Sequence, residues 1–201
     1  MAKRLTFEEI FGKEFRWPKA GDDPFDVHDG DGSHAKLSED DFSRFVFMKK
    51  GYFRSAEALV DIALENWMEK DMLVYPILFL YRHALEINLK YIINFYGRHV
   101  EVEPVWDTHD FEKLWPSFLQ VLDRFGTDDP DRADQYVGAI IAQFGKVDPR
   151  SFSYRYPCDR TGTPIPLVQK RMDLENLKDV MEGIFSYFIG VDAYLDNMIN
   201  S

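Results

Sequence analysis

The chain of 201 residues carries a net charge of −11, a pI near 4.9, 15% aromatic residues and a single cysteine. That length suits one domain able to bury about 70% of its unfolded surface, and aromatics spread from Phe7 to Tyr194 argue against a disordered chain. The acidity argues against sequence-blind attraction to a polyphosphate, and the lone Cys158 excludes an intrachain disulfide and a thiolate zinc cluster.

Residues 1 to about 50 read as an irregular arm packed on the core. Trp17-Pro18, Gly21-Asp22-Asp23-Pro24 and Asp29-Gly30-Asp31-Gly32-Ser33 place turn chemistry at short intervals. Phe42, Phe45, Phe47, Tyr52 and Phe53 are its expected anchors, carried on a short strand. Asp26, His28, Asp29 and Asp31 lack the EF-hand spacing, so the arm reads as turns and not as a metal loop. The start of the chain has Lys3 and Arg4 but no apolar secretion core, and the longest apolar run, Val74 to Tyr81, is too short to span a bilayer. The expected location is the cytoplasm.

Residues 51–201 read as an all-α bundle. A first amphipathic helix starts near Ser55 with Leu59, Ile62, Ala63 and Trp67 on one face. A second covers Tyr75 to Tyr96, with Pro76 in its first turn and Gly97 as its C-cap. A third begins at Thr108 to Asp110 and presents Leu114, Trp115, Phe118, Leu119 and Leu122. A fourth is capped within Asp131-Arg132-Ala133-Asp134 and ends at Gly145. Two short extended runs between Asp148 and Pro166 are able to pair as a small β-hairpin. A last helix, capped by Asp173, repeats Leu174, Leu177, Met181, Ile184, Phe188, Val191, Leu195 and Met198 at 3-4 spacing, the pattern of an intramolecular bundle face or of a dimer seam.

The second helix holds the main candidate site. At 100° per residue Arg82, Glu86, Lys90, His83 and Asn94 fall in a sector of about 120°, while the rest of the circumference is apolar apart from Asn88. Such a stripe is either a row of i,i+4 pairs or the lining of a pocket. In the pocket reading Arg82 and Lys90 hold an anion and His83 moves a proton. His109, between Asp107 and Asp110, adds a second acid or base or a local packing residue. Tyr154-Arg155-Tyr156-Pro157 offers a guanidinium between aromatic rings, suited to stacking a base, clamping an anion or bracing the fold. No phosphate-binding glycine loop, HExxH or GxSxG is present, and no cofactor or metal is expected.

The string Leu80-Tyr81-Arg82-His83-Ala84-Leu85-Glu86-Ile87-Asn88-Leu89-Lys90, then Thr108-His109-Asp110-Phe111-Glu112-Lys113-Leu114-Trp115, then Tyr154-Arg155-Tyr156-Pro157-Cys158-Asp159, resembles the HEPN-like helical proteins of prokaryotes over residues 55–199. The resemblance implies a compact helical bundle, commonly a homodimer. It also implies a role on RNA or a nucleotide, often as a metal-independent ribonuclease in a toxin or defence setting. The family's Arg followed after four to six residues by His is absent, since Arg82 and His83 are adjacent. On this reading His83, Arg82 and His109 are the catalytic candidates, and Glu86, Lys90, Tyr154, Arg155 and Tyr156 contact the substrate. The alternative is a non-catalytic interaction protein with a structural polar network and a protein partner.

Overall fold

The structure, a computed structural model, describes residues 9, 11–12, 16–26, 32 and 34–201. It divides into two units, Met1–Leu37 and Ser38–Ser201. The chain is mostly helical, with five helices and no strand among the described residues. These are α1 (Asp41–Glu65), α2 (Lys70–Tyr96), α3 (Phe111–Phe125), α4 (Ala133–Val147) and α5 (Leu174–Asn200). No described helix is long and apolar enough to cross a membrane.

In the first unit residues 16–26 form turns held by short-range bonds, in which Asp22 accepts from Arg16 and from the Lys19 amide. Of the acidic arm cluster only Asp26 is described; His28, Asp29 and Asp31 lie outside the described residues.

The helical unit begins earlier than the sequence pattern suggests. Asp40 accepts the Ser43 amide at 2.7 Å and caps a helix that starts at Asp41, so residues 41–50 are helical and the expected strand through Phe42 to Phe53 does not form. The apolar face is also rotated. Phe53, Ala56, Val60 and Ala63 are buried at alternating spacings of three and four, whereas Ile62 is half-exposed and Trp67 lies beyond the helix end, largely exposed. Asn66 and Glu69 close the short turn into α2.

α2 is the hub. It runs from Lys70, so Pro76 sits inside the helix and removes the amide that would have bonded Met72. Fourteen of its 27 residues are buried, distributed around the whole cylinder, as expected of a helix enclosed by neighbours. Gly97 does follow its end, but in right-handed conformation. A Cβ there would meet the Val102 carbonyl oxygen at 3.1 Å, a tight contact that glycine avoids.

α3 is capped by Asp110, whose carboxylate accepts the Glu112 amide. α4 is capped by Asp129, not Asp131, through the amides of Ala133 and Asp134, and continues past Gly145 to Val147. Asp173 caps α5, and six of its eight seam residues (Leu174, Leu177, Met181, Ile184, Phe188 and Leu195) are buried within this chain. The seam is an intramolecular face. Instead of a hairpin, the 157–165 segment makes one isolated antiparallel bridge, Cys158 to Pro164, around a turn organised by Asp159. The Asp159 carboxylate accepts the Thr161 and Thr163 amides, so the segment is held as a turn.

Candidate functional site

The polar stripe of α2 is a closed network centred on Arg82 and Glu86. Arg82 is fully buried, and each of its three nitrogens has a partner. Nε donates to the Asp148 carbonyl at 2.9 Å, Nη1 to Glu86 at 3.1 Å and Nη2 to the His109 carbonyl at 2.7 Å. Its guanidinium also lies 4.6 Å from the centre of the Phe111 ring. One side chain of α2 thereby ties down the entry to α3 and the end of α4.

Glu86 receives the complementary set. Arg82 occupies one oxygen, and the other accepts from Lys90 at 3.0 Å and meets His109 Nδ1 at 2.7 Å. Burial pushes the Glu86 carboxyl up, but the Lys90 charge and the bonds from Lys90 and His109 outweigh it, leaving it below its ordinary value and ionised at neutral pH. Lys90 also donates to the Trp106 carbonyl at 3.0 Å, and Asn94 bridges the Lys90 carbonyl and the Val105 amide. Asn88, off the stripe, bonds back to Ala84 of its own helix.

Asp148, which sequence reasoning missed, anchors the following loop. One carboxylate oxygen accepts the amides of Phe152 and Ser153. The other lies 3.5 Å from Arg82 Nε without a hydrogen bond, because that N–H points at the Asp148 carbonyl. The loop's tightness appears at Ser151, buried with a left-handed φ of 57°.

The histidines separate. His83 points 100° away from Arg82 and is held between rings, edge-on to Tyr52 at 4.5 Å and stacked on Phe79 at 5.5 Å. Burial is the main force holding its pKa below the ordinary value; Glu86 opposes this, and Arg82, Arg155 and His109 add to it. His109 reaches solvent, with 59% of its side chain exposed. Because ionised Glu86 accepts at Nδ1, the neutral ring carries its proton there and leaves Nε2 as the basic nitrogen.

Arg155 is exposed but ordered. Its Nε donates to the Ser151 carbonyl, and its guanidinium lies within 6 Å of the rings of Phe79, Phe152 and Tyr156. The Phe79 ring thus lies beside both Arg155 and His83. Tyr156 is half-exposed, whereas Tyr154 packs into the core, where burial raises its phenol to about 12. Of the sequence candidates, His109, Arg155 and Tyr156 reach solvent, His83 is half-buried beside Phe79, and Arg82, Glu86, Lys90 and Tyr154 are withdrawn into the structure.

Two further features escaped sequence reasoning. Buried Lys49 donates to Asp192 at 2.8 Å over the Tyr91 ring, and Tyr96 donates to the same carboxylate. Desolvation lowers the Lys49 pKa against the opposing pull of Asp192. Lys49 sits one turn before Phe53 on the buried stripe, a signal readable only once the helix start at Asp41 is known. The second is charge segregation: residues 146–171 carry net +4 inside a chain of −11, concentrating Arg150, Arg155 and Arg160 on the loop that Asp148 pins.

The fold and site define an all-α bundle built around a buried charged network, with a cationic, aromatic loop beside it. No protein-family model matches the chain, and neither a curated protein nor a solved structure matches it.

Proposed function

We propose that this chain is a HEPN-like protein that binds single-stranded RNA on the row formed by Tyr156, Arg155, Phe79 and His83, with the Arg82–Glu86–Lys90 stripe serving as architecture beneath it. The observation carrying this reading is the setting of Arg155, a guanidinium oriented by its bond to Ser151 and flanked by three rings. Aromatic faces interleaved with a fixed cation stack bases and hold the strand's phosphates without reading sequence. The local positive charge supplies attraction that the acidic chain as a whole lacks.

The test is fluorescence anisotropy with a labelled single-stranded RNA of about twelve nucleotides. Arg155→Ala and Tyr156→Ala each weaken binding about tenfold, and raising salt weakens the wild type further. Absence of saturable binding at about 0.1 mM protein, the weak end of non-specific affinity, sinks the proposal. The homodimer belonging to this reading is tested by light-scattering mass.

The Glu86–His109 pair favours a second reading, metal-independent ribonuclease. His109 Nε2 takes the 2′-hydroxyl proton and the 2′-oxygen attacks phosphorus. The 5′-oxygen then leaves with a proton from water while Arg155 offsets the phosphorane charge, giving a 2′,3′-cyclic phosphate. Incubation with a mixed RNA pool plus chelator decides it: cleavage lost in His109→Ala supports the enzyme, and intact RNA at high protein concentration leaves the binding role alone.

A further inference from the structure

The same loop also lines a groove. Its cavity of about 630 Å³ is lined by Arg150, Phe152, Asp159, Arg160 and Ile165 among others, a size within the roughly 300–1,000 Å³ typical of small-molecule sites. Both arginines are exposed, and among the described residues neither makes a hydrogen bond or ion pair. The two carboxylates on the groove are otherwise engaged. Asp148 is buried and binds the Phe152 and Ser153 amides, and Asp159 accepts the Thr161 amide, the Thr161 hydroxyl and the Thr163 amide.

The walls are fixed from two directions. Asp148 and left-handed Ser151 hold the segment carrying Arg150 and Phe152, while the Asp159 turn and the Ile165 to Pro157 backbone bond hold the turn carrying Arg160. Two uncommitted guanidinium forks across a groove suit the oxygens of a phosphoryl group. Half-buried Phe152 and Ile165 offer an apolar surface for a planar ring.

We infer that the groove between Arg150 and Arg160 binds a nucleoside phosphate, the two arginines holding the phosphates and Phe152 the base. Neither arginine belongs to the RNA row, so the arginine variants separate the two sites, although the Phe152 ring also lies 5.1 Å from Arg155. Asp159 supplies an internal control: its side-chain oxygen organises the turn as an acceptor only, so Asp159→Asn keeps the turn and removes the one accessible negative charge from the groove.

Titration calorimetry on the full chain tests the assignment with adenosine, its mono- and triphosphates, and inorganic triphosphate. The nucleotides bind; Arg150→Ala and Arg160→Ala each weaken them about tenfold, and Asp159→Asn tightens them severalfold. Phe152→Leu weakens the nucleotides and leaves inorganic triphosphate unchanged. The inference is overturned if no nucleotide saturates the wild type at millimolar concentration, or if both arginine variants, with unchanged circular dichroism, bind as the wild type does. Equal affinity for inorganic triphosphate and the nucleoside triphosphate removes the base contact and overturns the nucleoside assignment. Loss of RNA binding in Arg155→Ala, with nucleotide binding retained, keeps the fate of this site separate from that of the row.

Discussion

Replacing Arg82 by methionine tests the architectural role of the stripe most directly. The substitution keeps most of the side-chain volume and deletes three hydrogen bonds, to the Asp148 carbonyl, Glu86 and the His109 carbonyl. It also leaves the Glu86 and Asp148 carboxylates, 3% and 1% exposed, without their central cation. Breaking a buried pair from one side costs about 3–5 kcal/mol, against a total stability of about 5–15 kcal/mol. A chain of this size should lose roughly 6–20 °C of melting temperature. Arg82→Lys should recover little, because a single ammonium cannot reach three acceptors in diverging directions. Urea denaturation followed by far-UV circular dichroism gives the cost. The double variant Arg82→Met with Glu86→Leu should be less destabilised than the sum of the single variants, since it removes a stranded charge. An Arg82→Met protein within about 1 kcal/mol of wild type, the range of an ordinary solvated pair, would refute the claim that this network holds the helices together.

The pH dependence has two windows. Glu86 is depressed in the folded state, so its contribution is complete above its ordinary value of 4.5 and is lost as the pH falls through the lower folded value; Glu86→Gln should flatten that part of the urea-midpoint profile. His83 is also depressed, so below its ordinary 6.5 the unfolded chain takes up the proton first and stability falls with pH, a slope that His83→Phe should remove. Gly138→Ala should destabilise by about 1–3 kcal/mol, because its Cβ would lie 2.6 Å from Trp115 Nε1 and force α3 and α4 apart or displace the indole; thermal melts read this, and an unchanged melt would show the contact to be soft. Asp173→Ala should cost about 1 kcal/mol through loss of the α5 cap, with Asp173→Asn nearly neutral in urea titrations.

Local patterns determined much of this fold. The seam from Leu174 to Leu195 and the caps at Asp110 and Asp173 could be read from spacing and residue type, since each depends on neighbours a few positions away. The sector of Arg82, Glu86, Lys90 and Asn94 was equally legible, because helical geometry alone puts those residues together. Turn-like composition before residue 50 concealed the start of α1 at Asp41: Asp40 acts through a cap contact to Ser43, and the buried stripe led by Lys49 shows only after that start is placed.

What only the tertiary structure decided is which way the stripe faces. The same four residues could have lined a wet cleft or sealed a core. The outcome depends on Asp148, 66 residues beyond Arg82, and on the His109 carbonyl 27 residues beyond it, both brought onto α2 by the packing of α3 and α4. A charge has no intrinsic exposure; its environment is set by what packs across from it. Periodicity could therefore find the stripe, while long-range contact made Arg82 a buried brace and left His109, Arg155 and the loop arginines facing solvent.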